Sequence, residues 1–418
     1  MNRLDLYNEL RFAGDSKILF WVFDGVGGLP IPDLASKTEL EAAETPFLDE
    51  FARKSACCGL EPFNAGITPG SGPGHLALFG YDVGEVNLNR GVLEVLGAER
   101  AFKDGEEVSG FQLQKTDVAA RGNYATLETR EGVQVVADRR ANKIATEESE
   151  RVSRRLSAEV HIDGCEIFVF PGKQHRFAVV FRAAGLQDGL TDADPQKSGL
   201  PPRRVEAERP EAEKAARIVN RFVEQATAVL EDEPEANTVL LRGIGNPPDI
   251  ETLEEIYGIR CAAIATYPMY RGIASLVGMD VLEVGSMSHA DEVALLEDSY
   301  DDYDFFYLHI KETDSYGHTG EFAKKIAVLE ECDPLFERAT ELGFDAIVVT
   351  GDHCTPCVLR EHSWHPIPTM LWSKTALPGH SRAYTERECA RGTYGIRPSR
   401  DILPLALSEA GRLKKFGA

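Results

Sequence analysis

The sequence is short of positive charge. Its 418 residues carry 45 Lys and Arg against 68 Asp and Glu, a formal net charge of −23. Such a surface repels phosphate backbones and anionic headgroups, so no nucleic-acid or membrane partner is expected. No run of about 18 apolar residues reads as a membrane span. Met1 to Leu10 holds acidic residues and no apolar stretch, unlike a secretory leader. The eight cysteines lack the spacing of a small disulfide-stapled domain and read as reduced thiols in a cytoplasm. There is no internal repeat, no low-complexity tract, and no P-loop or kinase glycine loop.

What remains is a globular composition, 43% hydrophobic and 27% charged, in a chain too long for one ordinary core. Two domains are expected. Lys17 to Phe23 is a nearly continuous apolar run that ends at Asp24-Gly25, the pattern of a buried strand in a parallel sheet. In open α/β sheets the carboxyl ends of strands form the ligand crevice, which places Asp24 where chemistry occurs. The rival reading is a turn aspartate before glycine. Thr38 to Lys54 has helical periodicity.

From about Val108 the texture changes to short alternating segments (122–127, 133–137, 166–170 and 177–181), as in small antiparallel sheets. Asp188 to Arg204 reads as an irregular loop and Pro210 to Leu230 as an amphipathic helix. Strand–helix alternation returns after about Ile273. Phe305–Ile310 and Ala346–Thr350 are buried-strand runs joined by a helical stretch, Glu321 to Leu342. The predicted fold class is α/β, a mostly parallel sheet flanked by helices. Residues 1–107 and 274–418 form a discontinuous core, and 108–273 form an inserted α+β domain.

Within that frame, Thr68-Pro69-Gly70-Ser71-Gly72-Pro73-Gly74-His75 leads into an apolar run. Glycine and proline fix a tight turn, and the following helix aims free N–H groups and its positive dipole end at Ser71. A hydroxyl beside an anion site suits a phosphoryl-accepting nucleophile. Taken alone, the stretch is equally a surface loop. Two more strand ends carry polar sets: Lys311-Glu312-Thr313-Asp314-Ser315-Tyr316-Gly317-His318, and Thr350-Gly351-Asp352-His353 with His362 and His365 beyond. Carboxylate and imidazole without thiolate suit Mn²⁺, Zn²⁺ or Co²⁺ rather than calcium, and two such clusters suggest two ions about 4 Å apart.

These stretches, with Lys37–Thr45, Arg90–Glu94, Arg121–Thr126, Asp138–Ala141 and Thr191–Pro195, run through nearly the whole chain in a familiar order. The sequence resembles the archaeal-type branch of cofactor-independent phosphoglycerate mutases, within the alkaline phosphatase superfamily. The resemblance implies an alkaline-phosphatase-like core with the substrate, phosphoglycerate, between it and the inserted domain. It implies interconversion of 3- and 2-phosphoglycerate in glycolysis and gluconeogenesis, through a phosphoserine at Ser71 and without 2,3-bisphosphoglycerate. One divalent ion, Mn²⁺ first with Mg²⁺, Co²⁺ or Zn²⁺ as alternatives, would be held by Asp24, Ser71, Asp352 and His353. The second would be held by Asp314, His318 and His362.

The inserted domain is expected to bring cations to the substrate: Arg121, Arg139, Arg140, Arg176 and Arg271, with Lys311 from the core and His175 beside them. The proton shuttle falls among Asp138, Asp192 and Asp194, the last two preferred, each with a turn-forming rival reading. The family usually has a small polar or acidic residue at His365, and more often serine at Cys354. The Cys354-Thr355-Pro356-Cys357 spacing raises a redox or metal alternative, against a plain buried-thiol reading. A metal-dependent phosphohydrolase or another small-molecule phosphotransferase on the same core is the functional alternative, and a catalytically dead scaffold a further one. Native metal and oligomeric state are left open.

Overall fold

The computed structural model describes residues 2–86, 88–282 and 287–417. The chain folds as two compact units, residues 1–86 with 250–418 and residues 87–249. Both junctions lie earlier in the sequence than the expected 107/108 and 273/274. The physical reason is pairing. Val92, Val95 and Ala101 are buried against strands of the second unit, whereas Cys261–Ala265 is hydrogen-bonded into the sheet of the first.

The first unit is built on an eight-stranded sheet. From edge to edge it runs Asp280–Val281, Cys261–Ala265, Phe305–Ile310, Ile18–Phe23, Ala346–Thr350, Ile367–Ser373, Ala56–Glu61 and Gly395–Pro398. The first five strands are mutually parallel, Ile367–Ser373 is antiparallel to both neighbours, and the last strand pairs parallel with Ala56–Glu61. Ile18–Phe23 lies at the centre with all six side chains buried, as a continuous apolar run requires when helices cover both faces. Phe305–Ile310 and Ala346–Thr350 flank it with the bounds the sequence predicts. Three strand ends therefore meet at one edge of the sheet, the position where open α/β sheets bind ligands.

The helical stretch expected over 38–54 is two helices, Glu39–Ala42 and Pro46–Lys54. Pro46 lacks an amide hydrogen, so it starts a helix and cannot continue one. Helix Phe322–Thr340 packs Phe336 edge-on against Trp21 and Phe51, at 5.5 and 4.9 Å between ring centroids.

The second unit is an antiparallel sheet in the order Glu106–Val108, Ala101–Lys103, Glu166–Pro171, Arg176–Arg182, Val118–Arg130 and Val133–Asp138, with Thr238–Gly245 also paired to Val118–Arg130. The 13-residue strand Val118–Arg130 holds two neighbours along its first half and the hairpin strand Val133–Asp138 along its second. Helix Glu213–Val229 buries Ala215, Ile218, Val219, Phe222 and Ala226, the face its periodicity marks. Asn89, near the start of this unit, lies against Gly245, near its end.

Phe336→Ala should destabilise the first unit by about 3–5 kcal/mol, the cost of emptying an aromatic-lined core position. A lowered urea midpoint measures it, and a loss under about 1 kcal/mol would show that the packing centre lies elsewhere.

Candidate functional site

At the shared strand edge, Asp24 follows Ile18–Phe23, and Asp352 and His353 follow Ala346–Thr350. All three side chains are buried. Gly25 follows Asp24 at φ +60°, where a Cβ would lie 2.5 Å from Thr355 Oγ1, so glycine alone lets the two loops touch. Ser71 opens helix Ser71–Leu78, whose N-cap Gly70 offers no capping side chain and leaves the first amides free for an anion. A Cβ on Gly74 would meet the Asp352 carbonyl at 2.5 Å, which explains the glycine needed for this helix to reach the loop.

His353 Nε2 is the hub. It lies 3.1 Å from Ser71 Oγ, 3.1 Å from Asp352 Oδ2 and 3.5 Å from Asp24 Oδ1. Beside it, Asp314 and His318 share one face of helix Glu312–Thr319 four residues apart, with Asp314 Oδ1 3.5 Å from His318 Nε2 and 3.6 Å from His362 Nε2. The His353 and His362 rings stack at 3.7 Å. Ligand atoms of Asp24, Asp352 and His353 converge within 4.8 Å, and so do those of Asp314, His353 and His362. His318, 44% exposed, stands just outside the second group.

Three further observations fit these residues to divalent cations. The Nδ1 atoms of His318, His353 and His362 are each engaged by an oxygen, of Arg360, Thr355 and Pro69 respectively, which turns every Nε2 lone pair inward. Asp24 Oδ1 and Asp352 Oδ2 are buried without a hydrogen-bond partner. Burial, opposed by Asp352, holds His353 down at about 4, so it is a neutral imidazole at neutral pH, the form that binds metal.

The carboxylates split. Burial and then Asp352 push Asp24 well up; Asp352 is well down despite burial, because His353 and His75 surround it. Lys311 Nζ bridges the two donor sets, 2.9 Å from Asp24 Oδ2 and 2.5 Å from Asp314 Oδ2. It is expected to bind substrate, and in this structure its ammonium is bonded to those two carboxylates.

The second unit carries a cavity of about 260 Å³ lined by Arg121, Asn123, Arg139, Arg140, Lys143, Gln174, His175, Arg176 and Arg242, with no carboxylate among the described lining residues. Arg139 grips Asp194 with both arms, Nε to Oδ1 at 2.9 Å and Nη2 to Oδ2 at 2.6 Å. Burial pushes the Asp194 carboxyl up, yet Arg139 and the Gln196 amide leave it below its usual range. Asp192 accepts from the Gly243 amide at 2.8 Å, and Asp138 from those of Arg140 and Asn142 at 2.9 and 2.7 Å. Arg271 departs from expectation. It sits on helix Pro268–Leu276 of the first unit, because that segment follows the core strand Cys261–Ala265.

The Cys354 and Cys357 thiols are free and buried, and burial pushes both up, Cys357 to about 12. No cysteine joins the convergent donor groups of the described residues. His365 stacks on Trp364, away from those groups.

The sequence reading missed His75, Tyr270, Thr355 and Arg242. His75 Nδ1 donates to the Ser71 carbonyl at 2.9 Å and lies 3.2 Å from Asp352 Oδ2. Its place four residues after Ser71, one helical turn on, was a usable signal. So was Arg242, a lone charge inside the apolar run Thr238–Gly245.

The family model described as 2,3-bisphosphoglycerate-independent phosphoglycerate mutase matches residues 52–236. A curated relative from Aquifex aeolicus, named as a probable 2,3-bisphosphoglycerate-independent phosphoglycerate mutase, is 46% identical over 99% of this chain and 100% of its own length. The chain belongs to that family. Among solved structures, a protein of Pyrococcus horikoshii is similar at a TM-score of 0.78 and 27% identity, over 97% of this chain and 100% of its own. The cofactor-independent phosphoglycerate mutase of Thermoplasma acidophilum follows at 0.73 and 26%, over 95% and 100%. No helix of the described residues is long and apolar enough to cross a membrane.

His175 supplies a prediction. Burial first, then Arg176, Arg140 and Arg121, hold its imidazole at about 4 against an ordinary 6.5. Between those values the unfolded chain binds a proton that the folded chain refuses. Its contribution to stability is therefore intact above 6.5 and lost as pH falls toward 4. NMR of the ring should show it neutral at about pH 5.5, whereas a midpoint above 6 would contradict the burial.

Proposed function

We propose that this chain interconverts 3-phosphoglycerate and 2-phosphoglycerate without 2,3-bisphosphoglycerate, through a phosphoserine at Ser71. The observation that carries the reading is the convergence of Ser71 Oγ, at an uncapped helix N-terminus, on the histidine shared by two carboxylate–imidazole groups. Family membership supplies the substrate. Asp24, Ser71, Asp352 and His353 would hold one divalent ion, and Asp314, His318 and His362 a second, Mn²⁺ first with Mg²⁺, Co²⁺ or Zn²⁺ as alternatives. When bound, the ions supply positive charge for the phosphoryl oxygens and lower the pKa of a coordinated hydroxyl.

The chain's own residues do the rest. Ser71 Oγ gives up its proton and attacks phosphorus in line; the Oγ–P bond forms as the bond from phosphorus to the substrate's 3-oxygen breaks, and that oxygen takes a proton. The glycerate then presents its 2-hydroxyl, which gives up its proton and bonds phosphorus as the Oγ–P bond breaks, and Ser71 Oγ takes a proton again. The free amides at the start of helix Ser71–Leu78 receive the equatorial oxygens. The arginine pocket supplies planar donors suited to carboxylate and phosphate. Asp194, clamped by Arg139, fixes that guanidinium and is a poor base. Asp192, held by one amide, is the better shuttle for the hydroxyl proton. The reaction would place the protein in glycolysis and gluconeogenesis, in the cytoplasm.

Phosphorus NMR of 3-phosphoglycerate with Mn²⁺-loaded protein should show 2-phosphoglycerate without added bisphosphoglycerate. Ser71→Ala should lower turnover by at least about a thousandfold, and EDTA should abolish it. Free phosphate as the only product would replace the mutase with a phosphohydrolase. Arg139→Ala should raise KM about tenfold or more, and a wild-type KM in that variant would remove the pocket from substrate binding.

A further inference from the structure

Arg140 and Lys143 line the arginine cavity from a stretch of uncommon backbone. Ala141, Asn142 and Lys143 stand at φ 42°, 50° and 54°, three successive non-glycine residues in the left-handed region. A residue with a Cβ is held there at a cost, and a run of three persists only where its surroundings fix it.

Asp138 does the fixing. It is the last residue of strand Val133–Asp138 and pairs with Thr126, so its own position is set by the sheet. Its carboxylate takes two amides at once, Oδ1 from Arg140 at 2.9 Å and Oδ2 from Asn142 at 2.7 Å. Backbone N–H groups turned to one side by such a turn make a concavity that binds anions, and here the chain fills it with its own side chain. Within the turn, the Lys143 amide donates to the Arg140 carbonyl at 2.7 Å and the Ile144 amide to that of Ala141 at 3.0 Å. Arg139 has a separate anchor in Asp194. The side chains of Arg140 and Lys143 have no hydrogen-bond or ion-pair partner among the described residues, so their direction follows the backbone of the turn.

We propose that Asp138 is a positioning residue of the substrate pocket. By bonding the Arg140 and Asn142 amides it holds the left-handed turn that presents the Arg140 guanidinium and the Lys143 ammonium to an anionic group of the substrate. It moves no proton in the reaction. The inference rests on the reading of this cavity as the place where phosphoglycerate binds.

The test is calorimetric binding of 3-phosphoglycerate to Mn²⁺-loaded protein in a Ser71→Ala background, which blocks turnover. Asp138→Ala should weaken binding about tenfold, and Asp138→Asn, which keeps one acceptor oxygen, about threefold. In a chain that also carries Arg140→Ala and Lys143→Ala, Asp138→Ala should change the affinity by less than about twofold, because no cation is left for the turn to aim. With Ser71 restored, Asp138→Asn should keep kcat within about twofold. Unchanged binding in Asp138→Ala would overturn the assignment. So would an equal loss in both backgrounds, which marks a general loss of structure. A kcat lowered about a hundredfold in Asp138→Asn with binding intact would make Asp138 the proton shuttle instead. If Arg140→Ala with Lys143→Ala binds 3-phosphoglycerate as tightly as the parent, the role of these cations and this inference fall together. A wild-type protein that binds 3-phosphoglycerate but makes no 2-phosphoglycerate would remove the mutase reading and leave the binding comparison to decide Asp138.

Discussion

Asp24 and Asp352 are carboxyl groups with no exposed surface that face one imidazole, His353. Removing two carboxylates from water to such a place costs several kcal/mol per ion unless positive charge answers them. Much of the first unit is an answer. Lys311 bridges Asp24 to Asp314, His75 faces Asp352, and the open end of helix Ser71–Leu78 turns its amides toward the same space. Lys325, itself wholly buried, donates to the carbonyls of Gly25 and Thr355 and so ties the two carboxylate-bearing loops to helix Phe322–Thr340. A site with so much buried charge held in place suits a reaction in which positioning and neutralisation of phosphoryl oxygens do most of the catalytic work.

The same logic resolves a tension in the composition. A chain with a net charge of −23 is a poor attractor of a substrate bearing both a phosphate and a carboxylate. The cavity in the second unit reverses that field locally. Arg121 and Arg242 are both pulled below their ordinary value, chiefly by burial, and each lies near further guanidinium groups. Arg139 is spared by Asp194, which fixes the pocket's geometry while cancelling one of its charges.

The sequence made the strands that end at the candidate site easy to read. Phe305–Ile310 and Ala346–Thr350 are apolar throughout and stop at a polar residue, so burial on both faces and a crevice at the strand end follow from pattern alone. The place of Ser71 at a helix start was legible from glycine and proline punctuation. The junctions between units were not, because the helix Arg90–Leu96 and the strand Cys261–Ala265 look alike in either neighbourhood, and only partner choice decides where they pack. Tyr270 gave no signal: a tyrosine among apolar helix residues is a core residue by pattern, and its contact with Lys311 joins segments 41 residues apart. Arg271, beside it, was misplaced for the same reason.

The central sheet is stitched from distant parts of the chain, Ile18 pairing with Ala346. During synthesis the ribosome finishes Asp24 long before Asp352. At about 5–20 residues per second the interval of 328 positions is on the order of 15–65 s. The first strand must wait, apolar and unpaired. The second unit has no such wait, since its antiparallel partners all lie within residues 87–249. Once it folds, Asn89 meets Gly245, and a long stretch of nascent chain is replaced by a short span between two fixed points. The entropy of closing the remaining loop falls accordingly. The insertion thus acts on assembly as an internal clasp, shortening the search by which the two halves of the sheet find each other.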